Sequence, residues 1–312
     1  MKTKSQMFKT YKVAENEYPK VLLLGNGICR CYGSVPWNTL LKSIAARDFS
    51  EDEKETMKSI PNPLQAVVYS QDQIDSFLDN ILDRFMPDMT AGLKDSEKRS
   101  LLFRSYIDRQ FDTILTTNYS YEIEQAIDPD FFIKRGRPNK YRQRSEVGTS
   151  KEHQFGIFRF NRVENGKGSQ DIWHIHGEAA LKNSVVLGHY YYGELLSVIE
   201  NYCKRTIAYY GQCITKKLPF HLKSWIDYFL LGDVFIIGFS MDFSEMDIWW
   251  LINCKKRHFP DCGKVYLYEP LIDNKPQLRL LAEAYGVVIC SDGKYDFDYA
   301  AYYRKVADNL SI

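Results

Sequence analysis

Apolar residues in this chain gather into short unbroken runs, separated by stretches in which they recur every three or four positions. The first run, Lys20-Val-Leu-Leu-Leu24, stops at Gly25. A run without polar alternation suits a strand covered on both faces, as in a parallel sheet. Similar runs recur at 113–115, 234–237, 265–267 and 287–289, and a further strand over 171–177 ends in His-Ile-His-Gly. Helical spacing occupies 37–46, 121–127, 245–254, 277–285 and 298–310. Strands alternating with helices predict an α/β fold, a Rossmann-like doubly wound parallel sheet. Two regions break the alternation. Residues 48–110 read as a helical insertion, with an apolar stripe over 72–82, and residues 186–231 as a second, tyrosine-rich and mainly helical one. The pattern as a whole predicts a single domain over 1–312. Residues 134–144 hold six basic side chains and no acid. They read as an exposed loop, either merely solvated or used in assembly, leading to a strand pair near 155–162.

Composition narrows the class. A hydrophobic fraction of 45% excludes a disordered chain. With 41 basic and 40 acidic residues, the net charge of +1 supplies no global field for nucleic acid or an anionic membrane. The seven cysteines form no C-x-x-C pair, so neither a zinc ribbon nor a disulfide framework is implied, and free thiols suit a reducing cytoplasm. The polar N-terminus does not read as a signal peptide. The longest apolar run, 228–239, is broken by Gly232 and Asp233 and is too short for a bilayer.

Four short motifs sit where ligands of open α/β sheets bind, just past strand ends. Gly25-Asn26-Gly27 follows the first strand, with the next glycine at Gly33; glycines here let backbone approach a pyrophosphate, or simply form a tight corner. Thr116-Thr117-Asn118 offers hydroxyl and carboxamide groups to a ribose or an amide, or caps a helix. His174 and His176 flank Ile175 before Gly177. Histidine titrates near neutrality and is a natural general base, although a strand histidine is often structural. No carboxylate stands close enough in sequence to predict a metal site with them. Gly238-Phe-Ser240 joins a buried strand to a helix, with Ser244 as a candidate N-cap and acids in the first turn.

In this order the motifs resemble the sirtuin-like superfamily, with the nearest likeness to bacterial sirtuin-like phage-defence effectors and the abortive-infection H family. Gly25, Gly27 and Gly33 match the family's opening glycine spacing. Thr116-Thr-Asn118 resembles its Thr-(Gln/Thr)-Asn motif, His176-Gly177 its catalytic His-Gly pair, and Gly238-Phe-Ser240 its later glycine–serine loop. The likeness runs from about residue 20 to about residue 290. It implies NAD as substrate, held at Gly25, Asn26, Gly27, Gly33, Thr116, Thr117, Gly238 and Ser240, with no metal. Asn118 would orient the nicotinamide or a water, and His176 would be the general base. It also implies an NAD hydrolase that defends against phage by depleting NAD, as an oligomer and with a second defence protein as partner. The departures are informative. Cys29 stands at the family's serine, Ser120 at a common acid, and Pro36-Trp-Asn38 at the Asp-Phe-Arg run of lysine deacylases, whose zinc cysteines are absent. These disfavour the second reading, a deacylase or ADP-ribosyl transferase, which an acyl-lysine peptide assay separates from the first. A third reading is a non-catalytic nucleotide-binding sensor or assembly module, which would release no nicotinamide.

Overall fold

The computed structural model describes residues 10–11, 18–34, 37–71, 79–80, 82, 94–133, 140, 142–144, 155–165, 168–290 and 298–310. Its strands are β1 (Thr10–Tyr11), β2 (Lys20–Leu24), β3 (Thr113–Thr116), β4 (Arg142–Arg144), β5 (Arg159–Asn165), β6 (Gly168–His174), β7 (Phe220–His221), β8 (Asp233–Ile237), β9 (Val265–Tyr268) and β10 (Val288–Ile289). From β2 to β3 the chain passes through helices α1 (Gly27–Arg30), α2 (Trp37–Ser43), α3 (Glu51–Met57), α4 (Asn62–Ser70) and α5 (Lys94–Ile107). After β3 come α6 (Glu122–Ile127), α7 (His189–Thr215), α8 (Trp225–Leu231), α9 (Met246–His258), α10 (Pro276–Ala284) and α11 (Tyr299–Asn309).

The main sheet has eight strands in the order β10-β9-β8-β2-β3-β6-β5-β4. The six from β10 to β6 are parallel, and β5 and β4 extend the edge by antiparallel pairing. Taken in chain order, the parallel strands are arranged 6-5-4-1-2-3, the doubly wound order whose ligand crevice lies where the winding reverses. Here that reversal is at β2, flanked by β3 on one side and β8 on the other. The α/β expectation from the apolar runs therefore holds.

Why β2 carries no polar alternation is clear from the two cores. Val21 and Leu23 point into one, with Trp225 and Phe229 of α8 and Ile248 of α9; Leu22 and Leu24 point into the other, with Ile28, Phe103 and Ile123. All four β2 residues are fully buried, each worth roughly 1.5–3 kcal/mol in transfer terms. Helices thus cover both faces of the sheet. The described parts of residues 48–110 are helical, as expected, and lie on the Leu22 side. Residues 186–231 combine α7, β7 and α8 into the return connection from β6 to β8. The 72–82 stripe falls almost wholly outside the described residues, as do Arg135 and Arg137 of the basic segment. Among the described residues, no helix is long and apolar enough to cross a membrane.

One boundary differs from the sequence pattern. The strand expected over 171–177 starts at Gly168 and closes at His174, leaving His176 in a turn. Gly177 forces this end: its φ is +93°, and its N–H donates to the His174 carbonyl at 3.0 Å. That backbone conformation is one glycine tolerates and L residues rarely adopt.

Candidate functional site

The carboxyl ends of β2, β3, β6, β8 and β9 open onto one cavity of about 540 Å³, within the usual size of a small-molecule site. Asn26, Gly27, Thr117, Asn118, His176, Gly238 and Ser240 all border it. They come from four loops far apart in sequence, and the sheet order brings them together. The helical region after β2 adds Trp37, Asn62 and Pro63 to the wall.

Three of the residues expected at the ligand lie elsewhere. Gly25 is a packing residue: a Cβ there would stand 2.5 Å from the Gly238 carbonyl oxygen, so the glycine lets the β2 and β8 loops touch. Thr116 is fully buried and clamps strand ends; its hydroxyl donates to the Leu24 carbonyl at 2.9 Å and accepts from the Asn118 N–H at 3.1 Å. Gly33 is exposed, with a φ of +91° and no atom within 4 Å of where a Cβ would stand, so it serves a turn outside the cavity. Gly27 has both roles. It borders the cavity, yet its N–H is already donated to the Gly238 carbonyl at 2.7 Å, and a Cβ would strike Gly238 and the Tyr303 hydroxyl.

His176 is the centre of a group whose other members sequence spacing did not bring to notice. Its Nε2 lies 2.9 Å from Asp247 Oδ2 and 4.0 Å from Glu245 Oε2, and its ring meets that of Tyr192 edge-on at 5.3 Å. The Tyr192 hydroxyl donates to Glu245 Oε2 at 3.1 Å. A carboxylate only accepts, so Nε2 carries the proton in the His176–Asp247 contact, and Nδ1 is the nitrogen left to act as a base. Burial disfavours the charged imidazole, but the charge and hydrogen bond of Asp247, with Glu245 behind it, outweigh burial and raise the pKa above its usual value. Asp247 Oδ1 is buried without a hydrogen-bond partner among the described residues. Acids at the start of α9 were expected to serve the helix dipole, and Ser244 to cap it. Instead Glu245 is at the N-cap position without capping, Asp247 faces His176, and Ser244 Oγ donates to Asp242 at 2.6 Å. Ligand atoms of His176, Glu245 and Asp247 all lie within 4.8 Å of one another, so the three side chains act on one another's charge.

His174 has a different task. Its Nδ1 lies 2.7 Å from the Asn118 carbonyl and its Nε2 2.8 Å from Glu124 Oε1, which also accepts from Asn161 at 3.0 Å. Both partners of the ring are acceptors, so both ring nitrogens donate and the imidazole is charged. Burial works against that charge, but Glu124, then Glu178 and the Asn118 carbonyl, push the pKa up to about 9. The buried ion pair thereby fixes the backbone of the residue whose carboxamide borders the cavity.

This pair predicts a pH dependence of stability. A folded-state pKa raised from 6.5 to about 9 contributes stability that is complete below pH 6.5 and is lost as pH rises through 9, about 3 kcal/mol in all. The melting temperature of the wild-type chain is expected to fall between pH 7 and 10. Glu124→Gln, which removes the charge, should be less stable at pH 7 and show a flatter decline. Parallel curves for the two proteins would contradict the assignment.

A last element at the cavity is Glu269, after β9. It is buried and ties down Leu271 N–H at 3.0 Å and Lys275 Nζ at 2.8 Å. No protein-family model matches the chain, and no curated protein matches it.

Proposed function

We propose that the chain cleaves NAD at the bond between nicotinamide and ribose, releasing nicotinamide and ADP-ribose. The observation that carries the reading is the meeting of Asn118 and a carboxylate-held His176 on one cavity at the switch point of a doubly wound sheet. Such bonds break through an oxocarbenium-like state, which needs a held leaving group, a positioned water and a proton acceptor. Asn118 supplies a carboxamide for nicotinamide or the water. His176, oriented by Asp247, supplies an acceptor for a ribose hydroxyl or that water, a role typically worth 10²–10⁴-fold. Asn26, Gly27, Thr117, Gly238 and Ser240 form the polar wall for the dinucleotide, and Glu269 adds a carboxylate able to accept from ribose hydroxyls. The motif resemblance supports anti-phage defence by NAD depletion as the setting, with an oligomer of this chain and a second defence protein as activator.

The test within the site is Asn118→Ala. Among the described residues, the side chain's one hydrogen bond to the protein runs from Nδ2 to Cys29 Sγ at a long 4.0 Å, so its loss should cost little stability. Nicotinamide release should drop by two or more orders of magnitude, with the melting temperature within about 2 °C of wild type. A mutant that unfolds, or that turns over NAD normally, would assign Asn118 to the loop and not to the ligand.

A further inference from the structure

Nε2 of His176 is committed to Asp247 at 2.9 Å, while a second carboxyl group borders the same cavity with one oxygen spare. Glu245 Oε2 accepts from the Tyr192 hydroxyl, and Oε1 takes no hydrogen bond from a described residue. The group stands at the N-cap of a 13-residue helix but does not cap it, so its orientation is not explained by helix chemistry. Charged and titratable groups face it from every side: His176 after β6, Tyr119 after β3, Tyr192 on α7, Asp242 in the β8 loop and Asp247 on α9. No cation other than a protonated His176 is among them. Two carboxyl groups beside one imidazole differ in their contacts, Asp247 bonded to the ring and Glu245 to the Tyr192 hydroxyl, and need not have the same task.

We infer that Glu245 is the base that takes the proton of the attacking water, while His176, held by Asp247, acts on a ribose hydroxyl. The inference rests on the NAD-cleaving reading. In the step, the C1′–nicotinamide bond breaks with its electron pair going to the ring, which leaves as neutral nicotinamide. The water oxygen bonds to C1′, and its proton passes to Glu245 and then to solvent. Atoms and charge balance as NAD⁺ plus water giving nicotinamide, ADP-ribose and a proton. Burial, reinforced by Asp247 and Asp242 and opposed by His176 and the Tyr192 hydroxyl, pushes the Glu245 carboxyl up to about 7. A base with that affinity accepts a proton readily near neutral pH and gives it up again.

The experiment uses the full chain with NAD and follows nicotinamide and sugar-containing products by chromatography. Glu245→Gln should lower turnover at least 100-fold while calorimetric NAD binding stays within a few-fold of wild type. Glu245→Ala opens space for a small anionic nucleophile that needs no base, so added azide should restore nicotinamide release and give azido-ADP-ribose. His176→Ala should show no such rescue. Glu245→Gln with wild-type turnover would overturn the inference alone, leaving the NAD reading intact. So would azide rescue of His176→Ala in place of Glu245→Ala. A wild-type chain that binds NAD and releases no nicotinamide would overturn the reading and this role together.

Discussion

Replacing His176 by alanine should lower NAD turnover by two to four orders of magnitude while NAD still binds within a few-fold of its wild-type affinity. The side chain is buried at the cavity wall, and its polar contacts run to Asp247 and Glu245, so the loss falls on proton handling more than on dinucleotide contacts. The pH profile carries a second, sharper expectation. A protonated imidazole cannot accept a proton, so activity should fall on the acid side as His176 charges. Because Asp247 and Glu245 raise its pKa, that fall should lie above pH 6.5, the value of a free imidazole. Asp247→Asn removes the anion that favours the imidazolium and should move the fall towards lower pH, as well as lowering the rate by freeing the ring to turn. Asp247 thus acts as a positioning residue. An acid limb that stays in place in Asp247→Asn would show that another group controls it. Single-turnover rates from pH 5 to 9, with calorimetric binding of each variant, separate these outcomes.

The largest effect on stability is expected at Gly177. An alanine Cβ there would lie 2.2 Å from the Ser184 carbonyl oxygen, a backbone atom that cannot swing aside, and φ is +93°. Strain of roughly 1–2 kcal/mol from the left-handed backbone is then joined by a forced shift of the turn. We expect Gly177→Ala to lose about 3 kcal/mol or more, with a melting temperature on the order of 5 °C or more below wild type, or no folded protein. Gly33 supplies the control. Its φ is +91°, but the space around a Cβ is open, so Gly33→Ala should cost only the backbone strain, about 1 kcal/mol. Differential scanning calorimetry of both variants decides it. Equal losses would mean that the Ser184 contact contributes nothing and that the turn carrying His176 is set by other means.

These two glycines also show where reading the chain reached its limit. Both match a motif spacing, yet one holds the His176 turn and the other lies outside the cavity. A spacing records that a glycine is present; whether a ligand or a neighbouring carbonyl requires it depends on contacts from distant loops. Gly25 makes the same point, since its requirement comes from Gly238, which meets it only after β2 and β8 pair. The strands were legible because a strand buried on both faces needs an unbroken apolar run, and β2 gives its side chains alternately to two cores. Their carboxyl-end loops were legible for the same reason, and Asn118 and His176 from two of them border one cavity. Glu245, Asp247 and Tyr192 were not. Asp247 lies 71 residues from its histidine, and acids at a helix start have an ordinary explanation in the dipole. His174 ends the strand that the sequence pattern marks, but its charge depends on Glu124, 50 residues away on α6. Pairwise chemistry between elements follows from topology, which apolar periodicity fixes only in outline.

The central claim is that this cavity breaks the nicotinamide–ribose bond, and the direct measurement is product analysis of the purified full chain incubated with NAD. The account predicts nicotinamide and ADP-ribose in equal amounts, formed by the wild-type chain and almost absent with His176→Ala at the same degree of NAD binding. NAD that binds and is recovered intact, or nicotinamide released equally by the His176→Ala chain, would contradict it.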